Sequence, residues 1–522
     1  MTEELTKTTL KGATMIVSAQ GASRLITFIG NVLLVRSMNN DARPLGVSST
    51  QLHLLYVTAL ALTRDGVRRA CLRELPANVR LHDQDKWEVG AALSRAYALV
   101  GVLCVTPLVF WHFVTNPPKE TEYSEYRTSL ILVMTGSCLE LLSEPMFVVA
   151  QNCSMYRLRS TIEAASSLSR VTIGLIASVI FGCKLSAFAW GYFATGVAIF
   201  ATLSFGLAKE SGEGFSFPIM RILLGGRPTF QTGDEVGKFT FLTTIQSGWK
   251  LGLSEGEKIV MIAMGTVASD RGAYAMAANL GSLAARLLLQ PSEEAAFTLF
   301  GKLKQNLSAQ NLLCILTRAS IVFGLIFTCF GTQFTHLLVL LLYGRGWADS
   351  TETPYLLSWY CIFISVCAVN GITEAFVQAV ADDKETKSFN FWLLICSLVF
   401  VSISTVLLPA MGTAALIAAN CLVMTMRITR NINFAREFIG EQFLLMDMLP
   451  KPRTGMMFTF SLACNWMSKL YMYRSFSTIS GAFMHVAIGT VLLLMCAFTV
   501  WRDDSELRML VSGFAKSNAK KE

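Results

Sequence analysis

The chain has 522 residues, of which 53% are hydrophobic and 15% are charged, and its formal net charge is +8. Soluble domains carry about 25% charged residues, so the composition excludes an ordinary soluble enzyme and indicates a membrane protein with many spanning helices. The basic excess does not imply a nucleic-acid partner, because the cytoplasmic loops of membrane proteins collect Lys and Arg.

Apolar segments of about 20 residues, the length that spans a bilayer, recur along the whole chain. The first follows Lys7 and Lys11 and is longer than a signal-peptide core, so we expect it to remain as the first membrane helix. The run HLLVLLLYG at 336–344 either extends the ninth segment or forms a re-entrant piece. The predicted spans, fourteen in all, are 13–36, 45–63, 90–114, 127–150, 162–183, 185–208, 237–264, 268–290, 311–334, 354–380, 388–409, 411–433, 455–473 and 482–501.

Basic residues cluster in alternate loops between these spans. RDGVRRACLR at 64–73 directly follows the second span, and Lys516, Lys520 and Lys521 follow the last one. Since Lys and Arg concentrate on the cytosolic side, and an even number of spans returns the chain to its starting side, both termini are predicted to be cytosolic.

The two halves of the chain match at an offset of 226 residues. Gln20-x-x-x-Arg24 aligns with Gln246-x-x-x-Lys250, and Gly46 aligns with Gly272. Two copies of a six-helix unit share one orientation and are related by a pseudo-two-fold axis along the membrane normal; chance similarity of two apolar halves is the alternative. The predicted organisation is an N-lobe at 1–208, a cytosolic connector at 209–236, a C-lobe at 237–433, and a connector with two helices and a cytosolic tail at 434–522.

The same offset sets the basic cluster RDGVRRA at 64–70 opposite the acidic cluster QPSEEAA at 290–296. Both clusters lie at the predicted cytosolic ends of related helices, so they predict an ion-pair latch that closes the cavity between the lobes. In the alternative interpretation, the arginines set the topology near lipid phosphates and the glutamates form a solvated face. The candidate gate residues are Arg68, Arg69, Glu293 and Glu294.

Ionisable residues inside spans are costly in a bilayer and usually face an interior path or one another. Arg24 lies in the first span, Arg286 in the eighth, and Lys250 and Glu257 share one predicted face of the seventh. Together they predict a hydrated, basic interior that suits an anionic head group, because Arg and Lys bind phosphate oxygens. Glu144 and Glu374, one in the fourth helix of each half, are candidates for a structural salt bridge, a substrate contact or a proton or cation site.

Motifs for catalysis or cofactor binding were not found in the sequence. It contains no GxxxxGK[ST] loop, no HExxH and no Cys or His spacing typical of zinc, and GLSEG at 252–256 lies within a predicted membrane span rather than at the strand-to-helix turn of a GxSxG nucleophile elbow. We therefore expect no catalytic residues, no cofactor and no metal, and a protein that is not an enzyme.

Six blocks of the sequence form a recognisable set along nearly the whole chain: SRLITFIGNVLLVR, LGVSSTQLHLLYVTALALTRDGVRRACLR, SEGEKIVM, NLGSLAARLLLQPSEEAAF, LLYGRGW and NGITEAFVQA. In matching order, these blocks resemble the Rft family. Proteins of this family in the endoplasmic-reticulum membrane are implicated in moving dolichol-linked oligosaccharides across the bilayer, and they are similar to the multidrug/oligosaccharidyl-lipid/polysaccharide exporters. The resemblance implies a role in supplying Man5GlcNAc2-diphosphate-dolichol to the lumenal side for N-glycosylation. The resemblance marks Arg24, Arg36, Arg68, Glu257, Arg286 and Glu294 inside these blocks, and Lys250 just before the block that begins at Ser254.

Three functions are compatible with these features. The first is a transporter in which two lobes alternate around a basic cavity, with Arg24, Arg36, Lys250, Glu257 and Arg286 as candidate substrate contacts. The second is an accessory protein that binds the lipid-linked oligosaccharide or glycosylation enzymes without transport. The third is a cation-coupled antiporter. The expected partners are a dolichol-diphosphate oligosaccharide and the lipid bilayer.

Overall fold

A computed structural model of the protein describes nine stretches of the chain. Within them every regular element is a helix, which confirms the all-α prediction. The described residues fall into two compact units, Met1–Gly272 and Ala273–Glu522. The described stretches are 26–38, 41–68, 83–118, 123–152, 155–211, 233–302, 307–440, 445–474 and 479–509.

The first unit is held together by apolar side chains from α2, α4 and α6. Leu55, Leu130 and Ala189 are fully buried in one shared cluster. Such side chains stabilise the unit through many close van der Waals contacts, and, where the helices leave the lipid, also by removing apolar surface from water. The helices of this unit are α1 Ile26–Arg36, α2 Arg43–Arg68, α3 83–115, α4 Tyr123–Asn152, α5 Tyr156–Val179, α6 Leu185–Ser211, α7 Gly233–Ser254 and α8 Gly256–Ala263; α9, Ala268–Ala284, crosses into the second unit.

The second unit has its core between α10 and α13, where the rings of Phe300 and Phe376 meet edge to face at 5.2 Å. A second cluster joins α11 to the two last helices through Phe330, Phe458 and Leu492. Helix ends follow local signals: Asp382 and Glu385 form a capping box at the start of α14. The helices are α10 Gln290–Lys302, α11 307–343, α12 Arg345–Ser350, α13 Thr353–Val380, α14 Asp383–Met411, α15 Ala414–Ile439, α16 Pro452–Ser468 and α17 Ile479–Asp503.

Within the described stretches, nine helices are long and apolar enough to cross a membrane, which makes the chain a multi-pass membrane protein. The run at 336–344 lies in the continuous helix Gln310–Tyr343, so it extends the ninth span rather than forming a re-entrant piece. The count of fourteen stays a prediction, since some charged helices, such as α7, are not among the nine.

One prediction about the seventh span is wrong. The sequence predicted a single helix over 237–264, but the helix breaks at Glu255, whose backbone leaves the helical region at φ −102° and ψ 8°. The break lies beside Gly256, where the chain bends most easily. Lys250 and Glu257 therefore belong to different helices, and the predicted polar stripe is interrupted.

The predicted lobe boundary and the two compact units follow different criteria. By the repeat, α7 and α8 belong to the second half, yet they pack within the first unit: the hydroxyl of Thr243 donates to the carbonyl oxygen of Gly66 at 3.0 Å. The repeat is a match between residues along the sequence, whereas the compact units are defined by which residues are in contact in the structure. The lobe boundary at 209–236 therefore stays a prediction.

Both second helices of the predicted repeat contain a π-helical turn. In α2 one such turn covers Ser48–Leu52 and a second covers Ala61–Asp65, and after α9 one covers Ala285–Leu289, which includes Arg286. Such turns widen the helix by one residue and occur often at functional sites. The second turn of α2 and the turn after α9 overlap once the offset of 226 is applied.

Candidate functional site

The candidate site is a row of polar side chains along α2, which we call the α2 ladder; it comprises His53, Tyr56, Arg64 and Arg68 with their partners. Arg68 donates from Nε to Glu144 Oε2 at 2.9 Å and from Nη2 to Glu144 Oε1. One turn earlier, Arg64 donates from Nη1 to Glu140. These two rungs arise because α2 carries arginines four residues apart and α4 carries glutamates four residues apart, so matching helix faces meet.

The buried carboxylates of the ladder are well satisfied. The side chains of Glu140 and Glu144 are each 5% exposed, and a bidentate arginine is the strongest partner a carboxylate can have. The guanidinium of Arg68 also lies over the ring of Phe147, 3.7 Å from its centroid. Glu144 is thus engaged in a structural ion pair, one of the roles predicted for it.

The middle of the ladder is aromatic. The hydroxyl of Tyr56 donates to Glu140, and the ring of Tyr56 lies 4.8 Å from that of Tyr192. The guanidinium of Arg170 lies 4.6 Å from the centroid of the Tyr192 ring and donates to the hydroxyl of Thr195. The aromatic faces thus stabilise a buried guanidinium through cation–π attraction.

At its far end the ladder joins α2 to the kink between α7 and α8. His53 Nδ1 lies 3.3 Å from the hydroxyl of Tyr192, and its Nε2 lies 3.4 Å from Glu255 Oε1. Lys258 Nζ donates to the other oxygen of Glu255 at 2.6 Å. The residue at the helix break therefore holds a basic side chain on each side of its carboxylate.

A close backbone contact lies near the start of α2. A methyl group added to Gly46 would overlap the carbonyl oxygen of Ala268, and one added to Gly272 would overlap the carbonyl oxygen of Ala42. Both pairs are related by the offset of 226, so each contact becomes the other when the halves are exchanged. Only glycine permits so close an approach of two backbones.

The second unit contains an ion pair similar to those of Arg64 with Glu140 and Arg68 with Glu144. Glu374 of α13 is paired with Arg427 of α15, and the amide groups of Asn370 and Gln378 donate to it at 2.9 and 3.2 Å. Its carboxylate, like that of Glu144, is engaged in a salt bridge, but its side chain is 24% exposed.

The gate candidates lie in different settings. Arg68 is bound to Glu144; Glu293 is half-buried with its carboxylate against Gly371; and Glu294 is exposed and accepts from Gln290 at 3.1 Å. Arg69 lies outside the described residues. The latch therefore stays a prediction, and Arg68 would have to leave Glu144 to form it.

The candidate substrate contacts were predicted to line one basic cavity. Arg36 at the end of α1 and Lys250 in α7 are exposed, and Glu257 in α8 is half-buried. Arg286 lies in the π-helical turn after α9, and Arg24 lies outside the described residues. Their common cavity stays a prediction.

Sequence reasoning missed the partners that complete the ladder. It did not single out His53, Tyr56 or Glu140, and it placed Glu255 and Lys258 on a continuous helix. One signal was present: the paired spacing of Arg64 and Arg68 in one apolar helix and of Glu140 and Glu144 in another. The contacts at the kink had no such signal, because they depend on the break itself.

The polar side chains of the ladder bind one another. They are ion-paired or hydrogen-bonded, and no group of three or more metal-binding side chains occurs among the described residues. Paired charges of this kind inside a membrane helix bundle fix which helix faces meet. The arrangement is that of a polar interior in a helical membrane protein.

The family model described as Rft protein matches residues 8–512. The chain belongs to the Rft family. Among its curated relatives is the Man(5)GlcNAc(2)-PP-dolichol translocation protein RFT1 of Dictyostelium discoideum, 28% identical over 97% of both chains. The Mus musculus protein of that name is 26% identical over 93% of this chain and 92% of its own length. The Saccharomyces cerevisiae protein of that name is 27% identical over 84% of this chain and 85% of its own length.

Solved structures of similar fold include two membrane transport proteins. The lipid II flippase MurJ in an inward closed conformation aligns with a TM-score of 0.61 at 12% identity, over 94% of this chain and 99% of MurJ. A multidrug resistance MATE family transporter in an inward-facing conformation aligns with a TM-score of 0.57 at 11% identity, over 79% and 95%. Membership of the Rft family is thus combined with a transporter-like fold, as the sequence predicted.

Proposed function

We propose that the protein moves the dolichol-linked oligosaccharide Man5GlcNAc2-PP-dolichol from the cytosolic to the lumenal leaflet of the endoplasmic-reticulum membrane for protein N-glycosylation. The observation that carries the proposal is the Rft family match over residues 8–512, together with relatives that are named translocation proteins for this lipid and align over most of their length. The partners are the lipid-linked oligosaccharide, the bilayer and enzymes of the glycosylation pathway. Both termini are cytosolic.

The mechanism we propose is alternating access of two six-helix lobes related by a pseudo-two-fold axis, followed by two C-terminal helices. The lobes are residues 1–208 and 237–433. Two observations support this arrangement: the fold shared with a lipid flippase, and the exchangeable contacts of Gly46 with Ala268 and of Gly272 with Ala42. A contact that maps onto itself is typical of elements that meet at a two-fold axis.

The diphosphate of the substrate needs cations in the path, and the proposed contacts are Arg24, Arg36, Lys250 and Arg286, with Glu257 beside them. Arginine binds phosphate oxygens through two parallel hydrogen bonds and lysine binds them as a point charge. The polyprenyl chain stays in lipid, since it is as apolar as the bilayer core.

The decisive experiment is reconstitution of the purified full chain into vesicles containing Man5GlcNAc2-PP-dolichol. A mannose-binding lectin added outside captures the fraction of glycan that reaches the outer leaflet. We expect capture to rise from half of the glycan to nearly all of it, far faster than in protein-free vesicles. Equal rates with and without protein would remove the proposal, and a dependence on a proton or sodium gradient would instead support an antiporter.

The latch is tested in the same vesicles by exchanging charges in a Glu144→Gln background, so that Arg68→Glu does not also leave the buried carboxylate of Glu144 without its cation. Arg68→Glu and Glu294→Arg are each expected to slow translocation, because each leaves two like charges at the proposed gate. The double exchange is expected to recover part of the rate. A double variant no faster than either single one would refute the latch but leave the transport function intact.

A further inference from the structure

Two adjoining cavities lie among the ends of α13, α14 and α15 in the second unit. One of about 520 Å³ is lined by Ser388, Thr429, Arg430 and Asn433, and the other, of about 320 Å³, is lined by Gln378, Asn390 and Asn431. Phe389 and Trp392 line both. Each has a volume in the usual range for a small-molecule site, and aromatic walls with a few fixed polar groups are typical of such sites. We call the pair the α14–α15 cleft.

The polar groups of the cleft are held in place. The guanidinium of Arg430 lies over Phe389 and Trp392, 4.8 and 5.1 Å from the ring centroids, and its Nη2 donates to Ser388 Oγ at 2.6 Å. On the other side Arg427 is held by Glu374. A site whose donors are already oriented loses little conformational entropy when a ligand binds.

Other polar groups of the cleft are unused. The side chains of Asn390 and Asn433 are exposed, and neither makes a hydrogen bond within the part of the chain that the structure describes. Their amide groups can therefore both donate to and accept from a ligand in the cleft. Over the same residues, Trp392 Nε1 and Arg430 Nε are buried donors without an acceptor, which are uncommon in native proteins.

The charges of the cleft select the kind of ligand. Its lining includes two guanidiniums, Arg427 and Arg430, and three carboxylates, Glu374, Glu385 and Glu437. Phosphate would meet more negative than positive charge there, so the cleft does not suit an anion. Amide, carboxylate and hydroxyl groups beside aromatic rings instead suit a neutral polyhydroxyl ligand, whose OH groups both donate and accept while its CH faces lie on the rings.

Resting on the proposed function, we propose that the α14–α15 cleft binds neutral sugar units of the lipid-linked oligosaccharide, apart from the site of its diphosphate. The cleft lies at the helix ends where Arg430 and Arg436 mark the predicted cytosolic side. It therefore retains the glycan in water on the side from which the substrate is loaded.

The test uses the full chain in lipid nanodiscs and the free glycan Man5GlcNAc2, which has neither diphosphate nor lipid. Binding is followed by titration calorimetry. Trp392→Leu and Asn433→Leu are each expected to weaken binding by tenfold or more. The matched control Trp466→Leu, at an exposed position of α16, is expected to bind as the unmodified protein does. Inorganic pyrophosphate is expected not to compete.

Three results would overturn the inference: no glycan binding by the unmodified protein, unchanged binding by both cleft variants, or displacement of the glycan by pyrophosphate. Size-exclusion profiles of the variants separate loss of the cleft from loss of folding, and at least one of the two variants must retain the native profile for the comparison. Glycan binding that depends on Trp392 without any translocation in vesicles would refute the proposed function alone. Translocation without glycan binding would refute the cleft alone.

Discussion

The fourth helix of each predicted repeat carries a glutamate, but the two halves neutralise it differently. In the first half Glu144 is bound by Arg68 of α2, whereas in the second half Glu374 is bound by Arg427 of α15. The second-half position that matches Arg68 is Glu294. The cation that pairs with the glutamate therefore lies on the second helix of the predicted unit in one half and on the sixth helix in the other.

The two halves therefore differ in which of their helices are joined by ion pairs. In the first half two rungs tie α2 to α4, so separating these helices would leave buried charges without partners. In the second half α10 carries the glutamates Glu293 and Glu294, and the ion pair of Glu374 is made with Arg427 of α15 instead. A substrate with a charged diphosphate and a neutral glycan is asymmetric, and two unequal halves suit it better than two identical ones.

The largest expected effect comes from the deepest rung. Glu140→Gln takes the buried carboxylate away from Arg64, whose Nε still contacts Asp65 at 3.1 Å, and weakens the bond to Tyr56, so we expect a loss of about 3 kcal/mol of unfolding free energy. Denaturant-induced unfolding in detergent micelles measures it. The matched control is Glu163→Gln, whose partner Arg159 is 39% exposed, with an expected change below about 0.5 kcal/mol. Equal effects of the two substitutions would contradict the buried rung.

The second-largest loss of unfolding free energy is expected from the close contacts of Gly46 with Ala268 and of Gly272 with Ala42. Gly46→Ala forces backbones apart and should cost about 1–3 kcal/mol, the range for overpacking. Gly272→Ala should cost a similar amount, and the double variant should be less than additive because both act on one contact. The same unfolding measurement applies.

A control for the glycine substitutions is Gly252→Ala, because a methyl group there would meet open space. Its expected effect is a gain of up to about 1 kcal/mol, since alanine is the better helix former. A loss at Gly252 as large as that at Gly46 would mean that the close contact is not the cause.

The second-half pair sharpens the comparison further. Glu374→Gln should cost about 1–2 kcal/mol, between an exposed and a buried ion pair, because its side chain is 24% exposed. An effect as large as that of Glu140→Gln would show that both halves depend equally on their carboxylates.

The smallest effect concerns the loop before α2. Hydrogen bonds from Arg43 hold the pKa of Asp41 below its ordinary value. A carboxylate with a lowered pKa stabilises the folded state above its unfolded pKa, and this contribution disappears as the pH falls through the folded value. Asp41→Asn should therefore lower the melting temperature slightly at neutral pH, and the difference should vanish in acid. A difference that persists in acid would point to a cause other than charge.

Much of the architecture was predictable because each spanning helix is a local pattern. About 20 apolar residues make a span whatever surrounds them, so the all-α class rests on neighbouring residues alone, whereas the sequence left open whether 336–344 extends the ninth span or forms a re-entrant piece. The kink at Glu255 was not predictable, because the glycines at 248, 252 and 256 form a GxxxGxxxG pattern, which is compatible with either packing or bending. Gly252 faces open space and Gly256 begins the next helix, so here the chain bends.

The sequence by itself determined the helical membrane class, the family and the positions of the costly charges, because hydropathy and spacing act over one helix. Only the tertiary structure decided the partners: Arg68 with Glu144, Arg64 with Glu140, and His53 with Glu255. The reason is physical. A buried charge must be neutralised by something nearby, and which residue is nearby depends on how distant helices pack.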